Sequence, residues 1–354
     1  MADQSRTWIE VDLDAIRENA RTVLRRAAGA RLMPMVKADG YGLGAVPLAR
    51  ALAPLDPWGF GVVTAEEGQA LREAGIAQRI LVIQPQPTML HACARHGLTP
   101  GLGSAAEVAA WHAIAGGSPF HVQVDTGMNR GGIWWEAFAS ESAAFAHSPG
   151  LEGVFTHFHS AESDPASVRE QWGRFQVALA ALPRRPVLVH AANSAATLLD
   201  PETAGDLVRP GIFLYGGCVG TWRPRPVATW RARVSRVAWR DTGATVSYGA
   251  TWRVPERTCV VSLGLGYADG YRRSLSNRGQ VLLEGRRWPV VGIVTMDHTM
   301  VAQGGPAPAE DAVATLIGRE GGEEITLDEV AALAGTISYE VLTGLGQRVE
   351  RVYR

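Results

Sequence analysis

Between roughly residues 32 and 216, short apolar runs alternate with longer amphipathic stretches, the pattern of βα units feeding a parallel sheet. The runs predicted as strands cover 32–36, 59–63, 79–83, 98–102, 121–124, 153–157, 187–190 and 207–215, with helix-like segments such as 65–74 and 166–182 between them. Eight such units in this length of chain predict a (β/α)8 TIM-type barrel of the α/β class; periodicity alone leaves an open doubly wound sheet as the alternative. After Thr221 the texture changes. Trp222-Arg223-Pro224-Arg225-Pro226 reads as a linker, and beyond it short alternating runs at 227–237, 258–263, 280–283 and 290–294 predict strands of a smaller, mainly β domain with one late helix at 327–334. The expected division is therefore 1–224 for the barrel and 225–354 for the β domain. A chain of 354 residues suits two domains, because a single core stops growing near ~250–300 residues.

Composition removes whole classes of function. With 46% hydrophobic and 19% charged residues and a formal net charge of -1, the chain reads as an ordinary soluble globular protein. Its 34 basic residues against 35 acidic ones show no excess that would attract nucleic acid or an anionic membrane, so a small-molecule substrate is expected. Cys93, Cys218 and Cys259 are odd in number and widely scattered, which argues against a disulfide framework and a clustered zinc site and for a reducing compartment. Met1-Ala2-Asp3-Gln4-Ser5-Arg6 leads directly into the strand-like Trp8-Ile9-Glu10-Val11 without an apolar leader core, and no later stretch approaches membrane-span length. A cytoplasmic location is the expectation.

Barrel active sites are built at the carboxyl ends of the strands, and the residues that interrupt the apolar runs fall there. Lys37 ends the first strand, Arg130 follows the fifth, His157 closes the sixth, Asn193-Ser194 follow the seventh, and Arg209-Pro210-Gly211-Ile212 belong to the eighth. Burial of a lysine behind Met33-Pro34-Met35-Val36 lowers its pKa and makes it a nucleophile able to form a Schiff base with an aldehyde. A lone lysine more often snorkels its charge to solvent. Here Ala38-Asp39-Gly40-Tyr41-Gly42 adds a glycine-flanked turn and a phenol, which favours the chemical reading. Ser194 and Gly211-Ile212 lie where barrels commonly hold phosphate on backbone N–H groups, although Asn193-Ser194 alone reads as a helix cap. An amine and a phosphate site on one rim together fit a phosphorylated aldehyde cofactor. His157, His159 and His190 lack acidic or thiol partners at ligand spacing, so no metal is expected. Trp134-Trp135 and the Trp230/Trp239 pair read as packing surface.

Over nearly its whole length the chain resembles the alanine racemases, fold-type III pyridoxal-phosphate enzymes. The resemblance rests on Val36-Lys37-Ala38-Asp39-Gly40-Tyr41-Gly42-Leu43-Gly44, Val124-Asp125-Thr126-Gly127-Met128-Asn129-Arg130, Ala192-Asn193-Ser194-Ala195 and Val208-Arg209-Pro210-Gly211-Ile212. Further matches are Ser247-Tyr248-Gly249-Ala250-Thr251, Gly266-Tyr267-Ala268-Asp269-Gly270-Tyr271 and Met296-Asp297. It implies that Lys37 carries pyridoxal 5'-phosphate as a Schiff base and that Tyr41, Ser194, Gly211 and Ile212 hold the phosphate, with Asn193 and His157 beside the cofactor. It implies too that Arg209, oriented by His190, faces the pyridine nitrogen and leaves it unprotonated, which weakens the ring as an electron sink and limits side reactions. Racemisation needs a base on one face of the α-carbon and an acid on the other; Lys37 and Tyr248 are the implied pair, Lys37 acting on the D form and Tyr248 on the L form. In the family the tyrosine comes from the partner subunit, so a homodimer with shared sites is implied. Arg130 and the Met296 backbone would bind the substrate carboxylate, and Tyr267, Tyr339 and Asp297 would shape the entrance. The activity implied is interconversion of L- and D-alanine, supplying D-alanine for peptidoglycan.

Two positions depart from the family pattern. Gln123 replaces a lysine, carbamylated in some relatives, that orients the arginine, and Gln347 replaces a phosphate-binding tyrosine. Competing readings are a racemase of broader range, for example acting on serine, a non-catalytic pyridoxal-phosphate carrier built from the barrel, and a decarboxylase on a related barrel. Tyr248 and its β domain weigh against the carrier. The missing catalytic cysteine motif and Gly-rich phosphate loop weigh against the decarboxylase.

Overall fold

The computed structural model describes residues 5–309 and 311–354; residues 1–4, over which the sequence reading finds no leader core, lie outside the described residues. Two units emerge, one made of 16–214 with 218–224, the other of the residues up to Ala15 with 215–217 and 225–354. The boundary expected at 224/225 thus has the amino-terminal strand on its far side. β1 (Thr7–Val11) runs antiparallel to β11 (Ala228–Arg240) and parallel to β20 (Glu350–Tyr353), so it is a strand of the second unit.

In the first unit, β2 (Arg31–Leu32), β3 (Gly59–Val62), β4 (Arg79–Ile83), β5 (Thr99–Leu102), β6 (Phe120–Asp125), β8 (Leu151–Phe155), β9 (Leu188–His190) and β10 (Leu207–Val208) follow one another with helices between them; a short β7 (Ile133–Trp134) adds to β6. The ladder β3-β4-β5-β6-β8-β9 is parallel throughout. Its ends are joined by β2 and β10, which pair in parallel, by a bridge between Met35 and Gly61, and by a bridge between Asn193 and Arg209. Eight parallel strands therefore close on themselves as a (β/α)8 barrel. The strands read as unbroken apolar runs because they are buried on both faces: every residue of β3, β5 and β6 is buried. Each fully buried Ile80, Leu81 or Val82 contributes about 1.5–3 kcal/mol.

Helix starts are set locally. Thr64 and Glu67 form a capping box for Ala65–Glu73, Ser104 caps Ala105–Ala115, and Asp164 with Pro165 at the first turn opens Pro165–Ala180. The run at 207–215 is a strand only at Leu207–Val208; beyond Arg209-Pro210 the chain turns.

The second unit is a β structure centred on β11, which pairs with β1, β14 (Thr258–Leu263) and β18 (Val313–Glu320). A hairpin of β12 (Thr245–Val246) and β13 (Trp252–Arg253) precedes β14; β15 (Gln280–Leu283), β16 (Arg286–Pro289), β17 (Thr299–Gln303) and β19 (Glu323–Ile325) complete the sheets. The helix Leu327–Ala334 lies where the sequence predicts it, capped by the Thr326 hydroxyl. The strand predicted at 290–294 does not form. Only Val290 makes a bridge, because Gly292 takes φ +73°, and a side chain there would collide with Val246 and Ser247. Among the described residues no helix is long and apolar enough to cross a membrane.

Candidate active site

The segment after β2 turns in an unusual way. Ala38, Asp39, Gly40 and Tyr41 all sit at positive φ, between 50° and 61°, a single turn of left-handed helix. For each non-glycine residue this costs about 1–2 kcal/mol, so the surrounding contacts must hold it. They do so at both ends. Gly40 N–H donates to the Val36 carbonyl and Gly42 N–H to that of Ala38, each at 2.8 Å, while the Asp39 carboxylate accepts from Ala45 N–H at 2.8 Å. Glu67, from the neighbouring capping box, accepts from Ala38 N–H at 2.6 Å and Val63 N–H at 2.9 Å. The turn thereby carries Lys37 at its start and buries Tyr41 at its end.

Lys37 is lowered from the usual lysine range, first by burial and then by the charge of Arg130, with Glu67 pulling the other way. Nothing among the described residues hydrogen-bonds the Arg130 guanidinium. Its loop is held by the Asp125 carboxylate, which accepts from Gly127 N–H at 2.9 Å and Asn129 N–H at 3.1 Å. Gln123, the departure from the family pattern, donates through Nε2 to the Gly131 carbonyl at 2.9 Å and so fixes the backbone next to Arg130.

At the other side of the same rim Ser194 Oγ accepts from Gly211 N–H at 2.9 Å, and the Asn193 side chain accepts from Ala196 N–H at 3.0 Å. A Cβ placed on Gly211 would lie 2.2 Å from the Tyr41 hydroxyl, so the backbone of Gly211, the Ser194 hydroxyl and the Tyr41 phenol are packed together at one place. Arg209 is 3% exposed. It donates to the carbonyls of Thr156 at 2.7 Å and Ala191 at 2.9 Å and to Nδ1 of His190 at 2.8 Å and His157 at 3.1 Å. Burial first, and Arg130 second, bring its pKa down to about 9, which leaves it charged at neutral pH. The same burial, reinforced by Arg209, holds both His157 and His190 well below the ordinary histidine value, so both rings are neutral. An amine lowered by burial, a cluster of a hydroxyl, a phenol and glycine backbone suited to an anion, and a guanidinium that can only donate together fit a phosphorylated aromatic aldehyde.

The remaining predicted site residues belong to the second unit. Tyr248 opens a short 3-10 turn, is 72% exposed, and lines a cleft of about 600 Å³ with Ser247, Arg236, Ser262, Thr295 and His298. Two loops there are tied together: Tyr267 N–H donates to the Thr295 carbonyl at 3.0 Å and Ala268 N–H to the Met296 carbonyl at 3.1 Å. The clamp below them is Asp269, fully buried, which accepts from Arg6 at 2.8 Å, Arg348 at 3.1 Å and Gly266 N–H at 2.9 Å; Arg348 also reaches Asp297 at 3.0 Å. Met296 and Tyr267 stay exposed above this clamp, Tyr339 is exposed on the helix Ser338–Thr343, and Gln347 is exposed on the turn that follows it. Sequence reasoning missed Glu67 and Asp269 as supports of these groups. The signal for Glu67 was present, since Thr64-Ala65-Glu66-Glu67 is a capping box.

Comparison with known proteins gives a consistent picture. Residues 11–219 match the family model of the alanine racemase N-terminal domain and 227–353 that of the alanine racemase C-terminal domain. The chain is 42% identical to an alanine racemase of Symbiobacterium thermophilum, over 98% of this chain and 97% of that one. An alanine racemase structure from Streptomyces coelicolor A3(2) superposes with a TM-score of 0.92 at 35% identity, covering 99% of this chain and 98% of the other. A structure of the Bartonella henselae alanine racemase with covalently bound pyridoxal phosphate gives a TM-score of 0.91 at 29% identity, over 99% and 100% of the two chains. With both domain models matched in order along one chain, and relatives aligned from end to end, the protein belongs to the alanine racemase family, isomerases that act on amino acids.

Proposed function

We propose that this chain is a pyridoxal-phosphate-dependent alanine racemase that works by a two-base mechanism, with Lys37 and Tyr248 on opposite faces of the substrate α-carbon. The observation that carries the proposal is the rim of the barrel, where an amine lowered by burial, the cluster of Ser194, Gly211 and Tyr41, and the buried Arg209 are found. Bound there, pyridoxal phosphate supplies a conjugated ring that makes the α-proton removable.

The chain's own residues do the rest. Lys37 Nζ holds the cofactor and, once free, takes or returns the proton on one face; Tyr248 Oη does so on the other. Arg130 offers an unpartnered guanidinium to the substrate carboxylate, and the Met296 N–H adds a second donor. Arg209 points only N–H groups at the ring nitrogen, so that nitrogen gains no proton from it and the ring accepts less charge; this favours return of the proton over transamination. Ser194, Tyr41, Gly211 and Ile212 hold the phosphate, with Asn193 fixing the start of the segment that carries Ser194, and His157 fills the space beside Arg209. Tyr267 and Tyr339, backed by Asp297, narrow the entrance to small side chains. The barrel serves as the cofactor domain and the β domain as the source of Tyr248.

The 72% exposure of Tyr248 supports an active site completed by a second copy of the chain, hence a homodimer. We place the enzyme in the cytoplasm, where it supplies D-alanine for peptidoglycan. The test is direct: the purified, cofactor-loaded protein is incubated with L-alanine, D-alanine and L-serine in turn, and the product is resolved on a chiral column. Interconversion of the alanines fits the proposal; no D-product from a protein that carries the cofactor refutes it.

A further inference from the structure

Arg209 is a buried charge whose hydrogen-bond partners are all neutral: two carbonyls and two imidazole nitrogens. A counter-charge exists, but farther away. A guanidinium can only donate, so Nδ1 of His190 must accept from it, and the His190 proton sits at Nε2. That Nε2 lies 2.9 Å from Nδ1 of His121, which accepts in its turn and carries its own proton at Nε2. His121 Nε2 then faces Glu152 Oε2 at 3.5 Å, and both atoms are buried with no nearer partner. The line runs from the carboxyl end of β9 to residues near the amino-terminal ends of β6 and β8, where Arg79, the first residue of β4, pairs with Glu152 at 3.2 Å. Phe155 stacks on the His190 ring at 4.9 Å, and Trp58 lies against His121 at 5.3 Å, so both imidazoles are packed by aromatic neighbours.

We infer that Glu152 is a positioning residue for Arg209, acting as its counter-charge through two hydrogen bonds, Arg209 to His190 and His190 to His121, and the 3.5 Å contact from His121 to its carboxylate. The inference rests on the proposed placing of Arg209 against the cofactor ring. Both hydrogen bonds point the same way, from the guanidinium towards the carboxylate, which fixes both rings as Nε2–H tautomers. The negative charge at the far end, and not the direction of the bonds, favours the protonated form of Arg209. Burial favours neutral rings, and it lowers His121 although Glu152 pulls that ring upward. Burial pushes Glu152 up, but the nearby His121, Arg79 and Arg31 outweigh it and hold the carboxylate below its usual value. The other charges facing the two ends are Arg130 at Arg209 and Arg31 at Glu152.

The sign of the coupling gives the test. Removing the negative charge of Glu152 disfavours protonated Arg209, so its deprotonation moves to lower pH. Removing Arg79 frees the field of Glu152 and moves it to higher pH, by less, because the Arg79 side chain is 52% exposed. The experiment uses the cofactor-loaded enzyme with ¹⁵N-labelled histidine. In the wild type both His121 and His190 are expected as neutral Nε2–H tautomers at neutral pH. In E152Q the alkaline transition of the cofactor's visible absorbance, and with it the alkaline limb of kcat/KM, is expected about 0.5–1 pH unit lower, and in R79Q slightly higher. Either ring found charged or in the Nδ1–H form, or an E152Q transition that coincides with the wild type, overturns the inference. If E152Q does not fold, the wild-type tautomers and the direction of the R79Q shift decide it. Absence of racemase activity in the wild type would sink the functional proposal while leaving the tautomer result standing.

Discussion

Substituting Gly211 by alanine isolates the phosphate cradle from the rest of the site. The position needs no unusual backbone angle; what it needs is room, because the added Cβ would stand 2.2 Å from the Tyr41 hydroxyl and 2.9 Å from its Cζ. To restore contact distance the phenol must retreat by about 1 Å. Tyr41 cannot easily do so: it is 5% exposed and ends the left-handed turn that begins at Lys37. Overpacking of this kind costs about 1–3 kcal/mol of stability. A shift of about 1 Å in a positioning group is worth up to about 100-fold in function, so the variant should bind pyridoxal phosphate some 10- to 100-fold more weakly. The assay is titration of cofactor-free protein followed by visible absorbance, with thermal melting alongside. A double-mutant cycle gives the decisive number, since Tyr41→Phe removes the atom nearest the clash. On the Gly211→Ala background Tyr41→Phe should cost less than it does in the wild type, or improve binding. Strict additivity of the two changes, or wild-type cofactor affinity in Gly211→Ala, would refute the idea that these residues share one cradle.

Three further outcomes test other parts of the site. Glu67 raises the Lys37 amine against burial and Arg130, so Glu67→Gln should lower that pKa further; trapping of the cofactor on Lys37 by borohydride in reconstituted protein should then begin at a lower pH, and an unmoved or upward-shifted profile contradicts the assigned coupling. Tyr248→Phe removes one exposed hydroxyl, so its melting temperature should match the wild type while turnover in both directions falls by about 100-fold or more; near wild-type rates exclude the acid/base role. Asp269→Asn leaves Arg6 and Arg348 without the buried carboxylate that clamps the loops of Tyr267 and Met296, and should cost about 2–3 kcal/mol in denaturant unfolding and raise KM for alanine; a fully stable variant with unchanged KM shows that the clamp does not set the loops.

How much of this could be read from the chain depends on the range of the interactions. The barrel strands are legible because most of their residues are buried and announce themselves as apolar runs, and the short piece Arg31–Leu32 overlaps the run predicted at 32–36 by one residue. The membership of β1 is not legible, since its register with β11 pairs Thr7 with Ala232, far along the chain, and nothing local favours that partner over a barrel strand. Val290–Val294 fails for a different reason: the residues are strand formers, but a single backbone angle at Gly292 overrides them. Lys37 and Arg209 stand out as charges in apolar surroundings. His121 does not, because a histidine inside an apolar strand reads as a satisfied core residue until its partners on β8 and β9 are known.

The two kinds of supporting residue behave differently, and this matters for how the site tolerates change. Glu67 acts through backbone: its carboxylate holds the N–H of Ala38 in the left-handed turn and that of Val63 after β3, so its loss releases geometry as well as charge. Asp269 also fixes backbone, at Gly266, but its two arginine partners are 41% and 45% exposed and can regain solvation, which limits the cost. Gln123 follows the first pattern. By donating to the Gly131 carbonyl it fixes the chain beside Arg130 and brings no charge of its own. The loop of Arg130 is thus held by hydrogen bonds between its backbone and the side chains of Gln123 and Asp125 and, among the described residues, not by an ion pair.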